Sequence, residues 1–395
     1  MLTEIPTSIN GEQVESLLQN INNHRNEESI DLELPVNLTF TGFSALPSLF
    51  QFLITWKRLP NSGKLIIKAP DTLLPEYWTK DYYLLFASIL AWDNDIVNKN
   101  GESLKNIIRP LNREFFNNFW KNNTEQIIKN DSVLFLFIDH IPNGLLPILY
   151  SNGKLRGESE FDNITDAIVD LALKKHGTLN KYIKQIQPSL NRILYESFDN
   201  TNNWATQSHT GKILSPSIRG IFAKFHELNR NQMNLLQDSL GFTTYLKELK
   251  IRNQERLGLI NTFLEITIFD SGSGLAQVFS GKSNEFLSLE EEYDYVRKCL
   301  RKHNTSHTAV GTAYARGIGL HKIMSTLNDT GGFLKIRTGR MSLFRDFLNV
   351  KFFNPNNDKY NEALLDWDNN SSIPNIRPYA DGTVISIVIP QIVSQ

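Results

Sequence analysis

Residues 263–275 read FLEITIFDSGSGL. Phe263, Leu264, Ile266, Ile268 and Phe269 form an apolar run rich in β-branched and aromatic residues, the mark of a buried strand. The run ends in Asp270, with Gly272 and Gly274 in the turn that follows. Such a strand delivers one carboxylate into a turn whose backbone can approach a flat ligand without side-chain obstruction.

Two segments flank this one in order. Upstream, residues 189–205 read SLNRILYESFDNTNNWA. Ile193, Leu194 and Phe198 can anchor a helix in the core, and Glu196 and Asn200, four apart, share one face. A carboxylate there suits a general base, and the amide oxygen of Asn200 suits a hard cation. Downstream, residues 315–324 read ARGIGLHKIM, where Gly317 and Gly319 open a helix continued by Ile323, Met324 and Leu327. Unsatisfied N–H groups at a helix start, here around Ile318 and Leu320, attract phosphate. No Gly-Lys-Ser/Thr follows, so this is not a P-loop. Asp270 can accept a hydrogen bond from an adenine amino group.

The bulk numbers fit a folded chain. Its 395 residues suggest two to three domains, and 41% hydrophobic with 21% charged residues can build cores. A net charge of −1 gives no support for a nucleic-acid surface. The single cysteine, Cys299, excludes an internal disulfide and fits a reducing cytosol. The start, MLTEIPTSINGEQ, does not read as a signal peptide. No run approaches the roughly 20 apolar residues of a membrane helix; Val133–Tyr150 is interrupted by Asp139, His140, Pro142, Asn143 and Gly144. A cytoplasmic protein with no membrane contact is expected.

Toward the N-terminus, alternation over Leu32–Phe40 predicts a strand, with Pro35 placing it at an edge or a bulge. Ser44 is expected to cap a helix over Leu46–Trp56. Further expected elements are a strand at Leu65–Ile67, helices over 75–92 and 105–128, a strand at Val133–Ile138 pairing with Ile148–Tyr150, and a helix near 161–175. This β-α-β-α order predicts an α/β domain over residues 1–175, with a pattern similar to a STAS domain but no motif behind it. Asp139 and His140 read as an ordinary turn after a strand. Residues 176–395 form the second domain, with helices near 178–206, 228–256 and 319–328 and strands near 217–224, 332–338, 341–350 and 383–389.

The series of helix with Glu196 and Asn200, strand with Asp270, and glycine-led helix, closed by Gly331-Gly332 and the strand Gly382–Pro390, resembles the GHKL ATPase superfamily over about residues 178–392. Members include the gyrase B subunit, ninety-kilodalton heat-shock chaperones, MutL, histidine kinases and anti-sigma serine kinases. The resemblance implies a Bergerat-type α/β sandwich with a mixed sheet, and ATP with magnesium as cofactors. It makes Glu196 the general base, Asn200 the magnesium ligand, and Asp270, Gly272 and Gly274 the adenine box. Gly317, Ile318, Gly319 and Leu320 become the second glycine box, where Ala315 departs from the usual glycine. Residues 275–316 become the ATP lid, with Lys302, Thr305, Ser306, Thr308 and Arg316 placed to meet phosphates. The roughly 69 residues between Asn200 and Asp270 exceed the family's usual spacing, implying an inserted helix pair that forms a contact surface.

The expected function is an ATPase acting as a conformational switch on a protein partner, with a homodimer as one expected assembly. The fusion resembles ATP-binding components of bacterial stress or anti-phage systems. Alternatives are an anti-sigma-type serine kinase and an ATP sensor without turnover. The stretch Phe225–Arg230 resembles the phospho-acceptor box of histidine kinases but lies between the first two boxes instead of before them, so it reads as coincidence, with His226 on or beside a structural helix. Lys335, Arg337 and Arg340 read as a solvated basic hairpin.

Overall fold

Period-two patterning over Ile30–Pro35 and Ser62–Lys68 produces two neighbouring parallel strands, as expected for crossover units. In the computed structural model the described residues are 1–70, 73–121, 128–129, 131–139, 141–173, 177–228, 239–257, 261–300, 319–351 and 363–390. Among them a parallel sheet runs β1-β3-β5-β6, with β1 (Leu2–Glu4), β3 (Ile30–Pro35), β5 (Ser62–Lys68) and β6 (Ile96–Val97). Short strands β2 (Ser8–Ile9) and β4 (Thr39–Phe40) pair separately. The helices of this part are α1 (Gly11–Asn23), α2 (Ala45–Arg58), α3 (Leu74–Lys80), α4 (Tyr83–Leu90) and α5 (Lys105–Trp120). The helix expected over 75–92 is broken at Asp81, which is extended. Pro35 is tolerated in an interior strand because it is the last residue of β3.

The second sheet has eight strands in the order β15-β14-β13-β16-β12-β11-β8-β7. These are β7 (Ile128–Lys129), β8 (Ser132–Ile138), β11 (Ile218–Leu228), β12 (Asn261–Asp270), β13 (Phe333–Gly339), β14 (Met341–Asp346), β15 (Leu365–Asp366) and β16 (Ala380–Pro390). Its helices are α6 (Asp162–Leu173), α7 (Gly177–Trp204), α8 (Leu240–Leu257), α9 (Leu275–Ser280), α10 (Leu289–Lys298) and α11 (Gly319–Thr330). The chain is therefore α/β. Every described pairing in this sheet is antiparallel, which corrects the mixed sheet expected. The reason is β16: it inserts between β12 and β13, separating two strands that run in the same direction.

Sheet membership joins elements from both sides of residue 175. β8 pairs with β11 over seven residues, and α6 packs on β8, β11 and α7. Tyr150 pairs within a small hairpin of β9 (Tyr150–Ser151) and β10 (Lys154–Leu155), not with β8. His226 lies in β11 rather than on a helix, buried, stacked on Phe263 and hydrogen-bonded to Glu265 at 2.7 Å. Between Asn200 and Asp270 the described residues hold one helix, α8. It packs Phe242, Tyr245 and Leu249 against Phe43, Phe333 and Phe344, so this face of α8 is buried within the molecule; residues 229–238 and 258–260 of the expected insertion lie outside the described residues.

Side chains alternate across β12, and each set meets a different layer. Leu264, Ile266, Ile268 and Asp270 share the face covered by α7, where Phe137 of β8 stacks on Phe198 at 4.8 Å. Phe269 points the other way, 5.2 Å from Phe50 of α2. α2 is buried continuously from Ala45 to Trp56, between the two sheets. Polar groups lock this interface. Ser44 adopts a left-handed conformation and does not cap α2; its hydroxyl bonds that of Ser386 at 2.7 Å, and Thr267 donates to the Ser386 hydroxyl at 2.8 Å.

The basic hairpin is buried, not solvated, because its partners lie within the chain. Arg337 forks onto Glu15 of α1 at 2.7 and 3.1 Å, Arg340 bonds the fully buried Glu292 at 2.8 Å, and the Lys335 ammonium lies 4.0 Å from the Trp367 ring centroid. Among the described residues no helix is long and apolar enough to cross a membrane.

Glu15→Ala should destabilise the fold by about 3 kcal/mol, since it strands a buried guanidinium. Burial pushes the Glu15 carboxyl up, yet Arg337 more than offsets this and holds it below its ordinary value. The loss should thus be full at neutral pH and shrink as acid protonates the wild-type carboxylate. Urea unfolding at pH 7 and pH 4 measures both.

Candidate functional site

The turn after β12 is held from both sides by backbone. Ser271 exchanges two hydrogen bonds of 2.8 Å with Ile218, and Gly272 O accepts from Gly382 N–H at 2.8 Å. Asp270 Oδ1 accepts from Gly272 N–H at 2.7 Å. A Cβ on Gly272 would come 3.0 Å from Ala205 Cα, just past the end of α7, so this glycine lets the helix close on the turn. Gly382 has φ +77°, and a Cβ there would lie 2.1 Å from Asp270 O. Leu275 N–H bonds Thr338 Oγ1 at 3.0 Å, and Thr383 is the β16 residue directly across from Asp270.

Burial pushes the Asp270 carboxyl up to about 6, against downward pulls from the Gly272 N–H, Arg58, the Thr383 backbone and Arg219. A carboxyl with this value is ionised at neutral pH and can accept a donor from a ligand.

Arg219 was not singled out in the sequence. It is 2% exposed and is the cross-strand neighbour of Asp270. Its guanidinium forks onto Asp139 at 2.7 and 2.9 Å and donates to Tyr150 Oη at 2.7 Å. Tyr150 in turn donates to Asn202 Oδ1 of α7 at 2.9 Å. Asp139 does end a strand, as expected, but its carboxylate neutralises a buried cation. The only local signal was an arginine inside the apolar stretch Ile218–Ile221.

Glu196 and Asn200 are half-buried on α7, whose C-terminal half packs on the sheet face that carries Asp270. Among the described residues none hydrogen-bonds the Asn200 side chain. No group of three or more His, Cys, Asp or Glu side chains suited to a metal occurs among them.

Gly319 and Leu320 are the first residues of α11, which packs on α7. Lys302, Thr305, Ser306, Thr308, Arg316, Gly317 and Ile318 lie outside the described residues. The first part of the expected lid is α9, a 3₁₀ turn at Asn284–Phe286 and α10. Burial pushes the Cys299 thiol up to about 12, which leaves it a poor nucleophile. Comparison with protein-family models, curated proteins and solved structures finds no match.

Two substitutions test this geometry. Gly382→Ala should cost about 2 kcal/mol or more, since it adds a left-handed strain to a backbone clash; thermal unfolding measures it. Asp270→Asn should raise stability above pH 6. The wild-type carboxyl binds its proton more tightly when folded, so stability is lost as pH rises from 3.8 to about 6. Asparagine does not ionise, and the two unfolding curves should converge below pH 4.

Proposed function

We propose that the segment from α7 to β16 binds ATP with magnesium and hydrolyses it, as a Bergerat-type sandwich like that of the GHKL ATPases. The observation that carries this reading is the closure of the α7 end onto the Asp270 turn. It puts a half-buried carboxylate, two hydroxyls (Thr338 and Thr383) and a helix bearing Glu196 and Asn200 around one end of the sheet.

Asp270 accepts the adenine amino group, and the glycine turn lets the flat base lie against backbone. Asn200 would hold the magnesium, which when bound neutralises phosphate charge. Glu196 orients the attacking water and takes its proton, the usual share of a positioned carboxylate in phosphoryl transfer. The N–H groups at the start of α11 face the phosphates. Among the described residues the sheet's other face is covered by α2 and α8, so the nucleotide state is passed on through those layers to a protein partner.

Phosphate release from magnesium-ATP, measured beside nucleotide binding, tests the reading. Glu196→Ala should keep binding and lose release by about a hundredfold or more. Asp270→Asn should lose binding itself. Tight binding by wild type with no release would replace the hydrolase with a sensor, and label passed from ATP to a protein would replace it with a kinase. Absence of binding would sink the nucleotide site altogether.

A further inference from the structure

Segment Tyr379–Gly382, at the entrance to β16, connects the glycine turn to the N-terminal helices. On the turn side, Gly382 N–H bonds Gly272 O, and Gln277 bridges Ser273 O at 2.7 Å and Tyr379 Oη at 2.9 Å. Tyr379 Oη also donates to Asp381 Oδ1 at 3.3 Å. On the other side, three α2 residues spaced four and three apart on one face hold the same segment. Gln51 Nε2 donates to Gly382 O at 3.4 Å, Thr55 Oγ1 accepts from Asp381 N–H at 2.9 Å, and Arg58 lies 4.0 Å from the Asp381 carboxylate. α1 adds Asn22, which donates to Tyr379 O at 2.9 Å.

We propose that Gln51, Thr55 and Arg58 are positioning residues for the Asp270 turn, so that the N-terminal helices set the nucleotide affinity of a site they do not line. The inference rests on the ATP reading above. The coupling is mechanical and short: α2 fixes Asp381 and Gly382, Gly382 lies against Asp270 O with no room for a side chain, and Thr383 faces Asp270. By reciprocity, a bound nucleotide that orders the turn also favours one seating of α2.

The charged groups that act on Asp270 are Arg219, paired with Asp139 on the β11 side, and Arg58, beside Asp381 on the α2 side; α7, which packs on the same sheet face, carries Glu196 and Asp199. Removing the Arg58 charge while leaving the others should shift the titration of Asp270 upward, and base binding should then fail at a higher pH.

Full-length protein should be titrated with magnesium-ATP by calorimetry from pH 5.5 to 8, for wild type, Arg58→Gln, Arg58→Lys, Thr55→Val and Asp270→Asn. Leu53→Ala, on the far side of α2, controls for lost stability. Arg58→Gln and Thr55→Val should weaken binding about five- to tenfold. Only Arg58→Gln should move the acid limb upward in pH, and Arg58→Lys should restore it. Should Arg58→Gln fail to fold, Thr55→Val, which removes one buried hydroxyl at constant shape, carries the affinity test. Wild-type affinity in both variants, or an equal loss in Leu53→Ala, overturns the inference while leaving the nucleotide site standing. No binding by wild type overturns both.

Discussion

α2 is buried all round: from Ala45 to Trp56 no residue, Ser48, Gln51 and Thr55 included, is left to solvent. A helix of this kind must be covered on every side. The parallel sheet with α1 and α4 covers one side, and β12 and β16 of the antiparallel sheet cover the other. Neither sheet can complete its core without the helix, and the remaining architecture follows from that shared burial. The stacked rings of Phe50 and Phe86, 4.1 Å apart and both set against Phe269, lie at this junction.

The same junction holds a layer of polar groups, among them Glu15 with Arg337, Glu265 with His226, and the hydroxyls of Ser44, Thr267 and Ser386. Desolvating such groups costs free energy that their mutual hydrogen bonds only roughly offset. Their contribution is to registration. An apolar helix can slide along an apolar sheet, whereas the fork of Arg337 on Glu15 admits one placement. Fixed registration is what allows a contact on α2 to matter at the end of β16.

Local pattern made much of this visible in the sequence. Apolar runs and their closing glycines located β12, α7, α11, β13 and β16 to within a few residues, because periodicity and turn chemistry act over short spans. Asp270 was legible as a carboxylate at a strand end, and Glu196 and Asn200 as one helix face. Partnerships across long separations were not legible. Nothing local to Val133–Ile138 says that it joins β11, some 80 residues later. Arg219 looks anomalous until Asp139 is seen beside it, and Arg337 looks solvated until Glu15, 322 residues away, is brought to it. The sequence shows charges; only the fold shows which of them are neutralised.

The position of β16 has a consequence for how the chain is made. A ribosome releases β12 and β13 long before it releases residues 380–390, yet these two strands touch only through that late segment. Until then each presents an unpaired edge, and α2 lacks one of the two strands that cover its second side. The groups β7-β8-β11-β12 and β13-β14-β15 can pair before β16 is released, and β16 joins them last. Contacts of this span fold slowly and leave edges exposed while they wait. The longer β12 waits for its neighbour, the longer that edge is open to pairing with another chain.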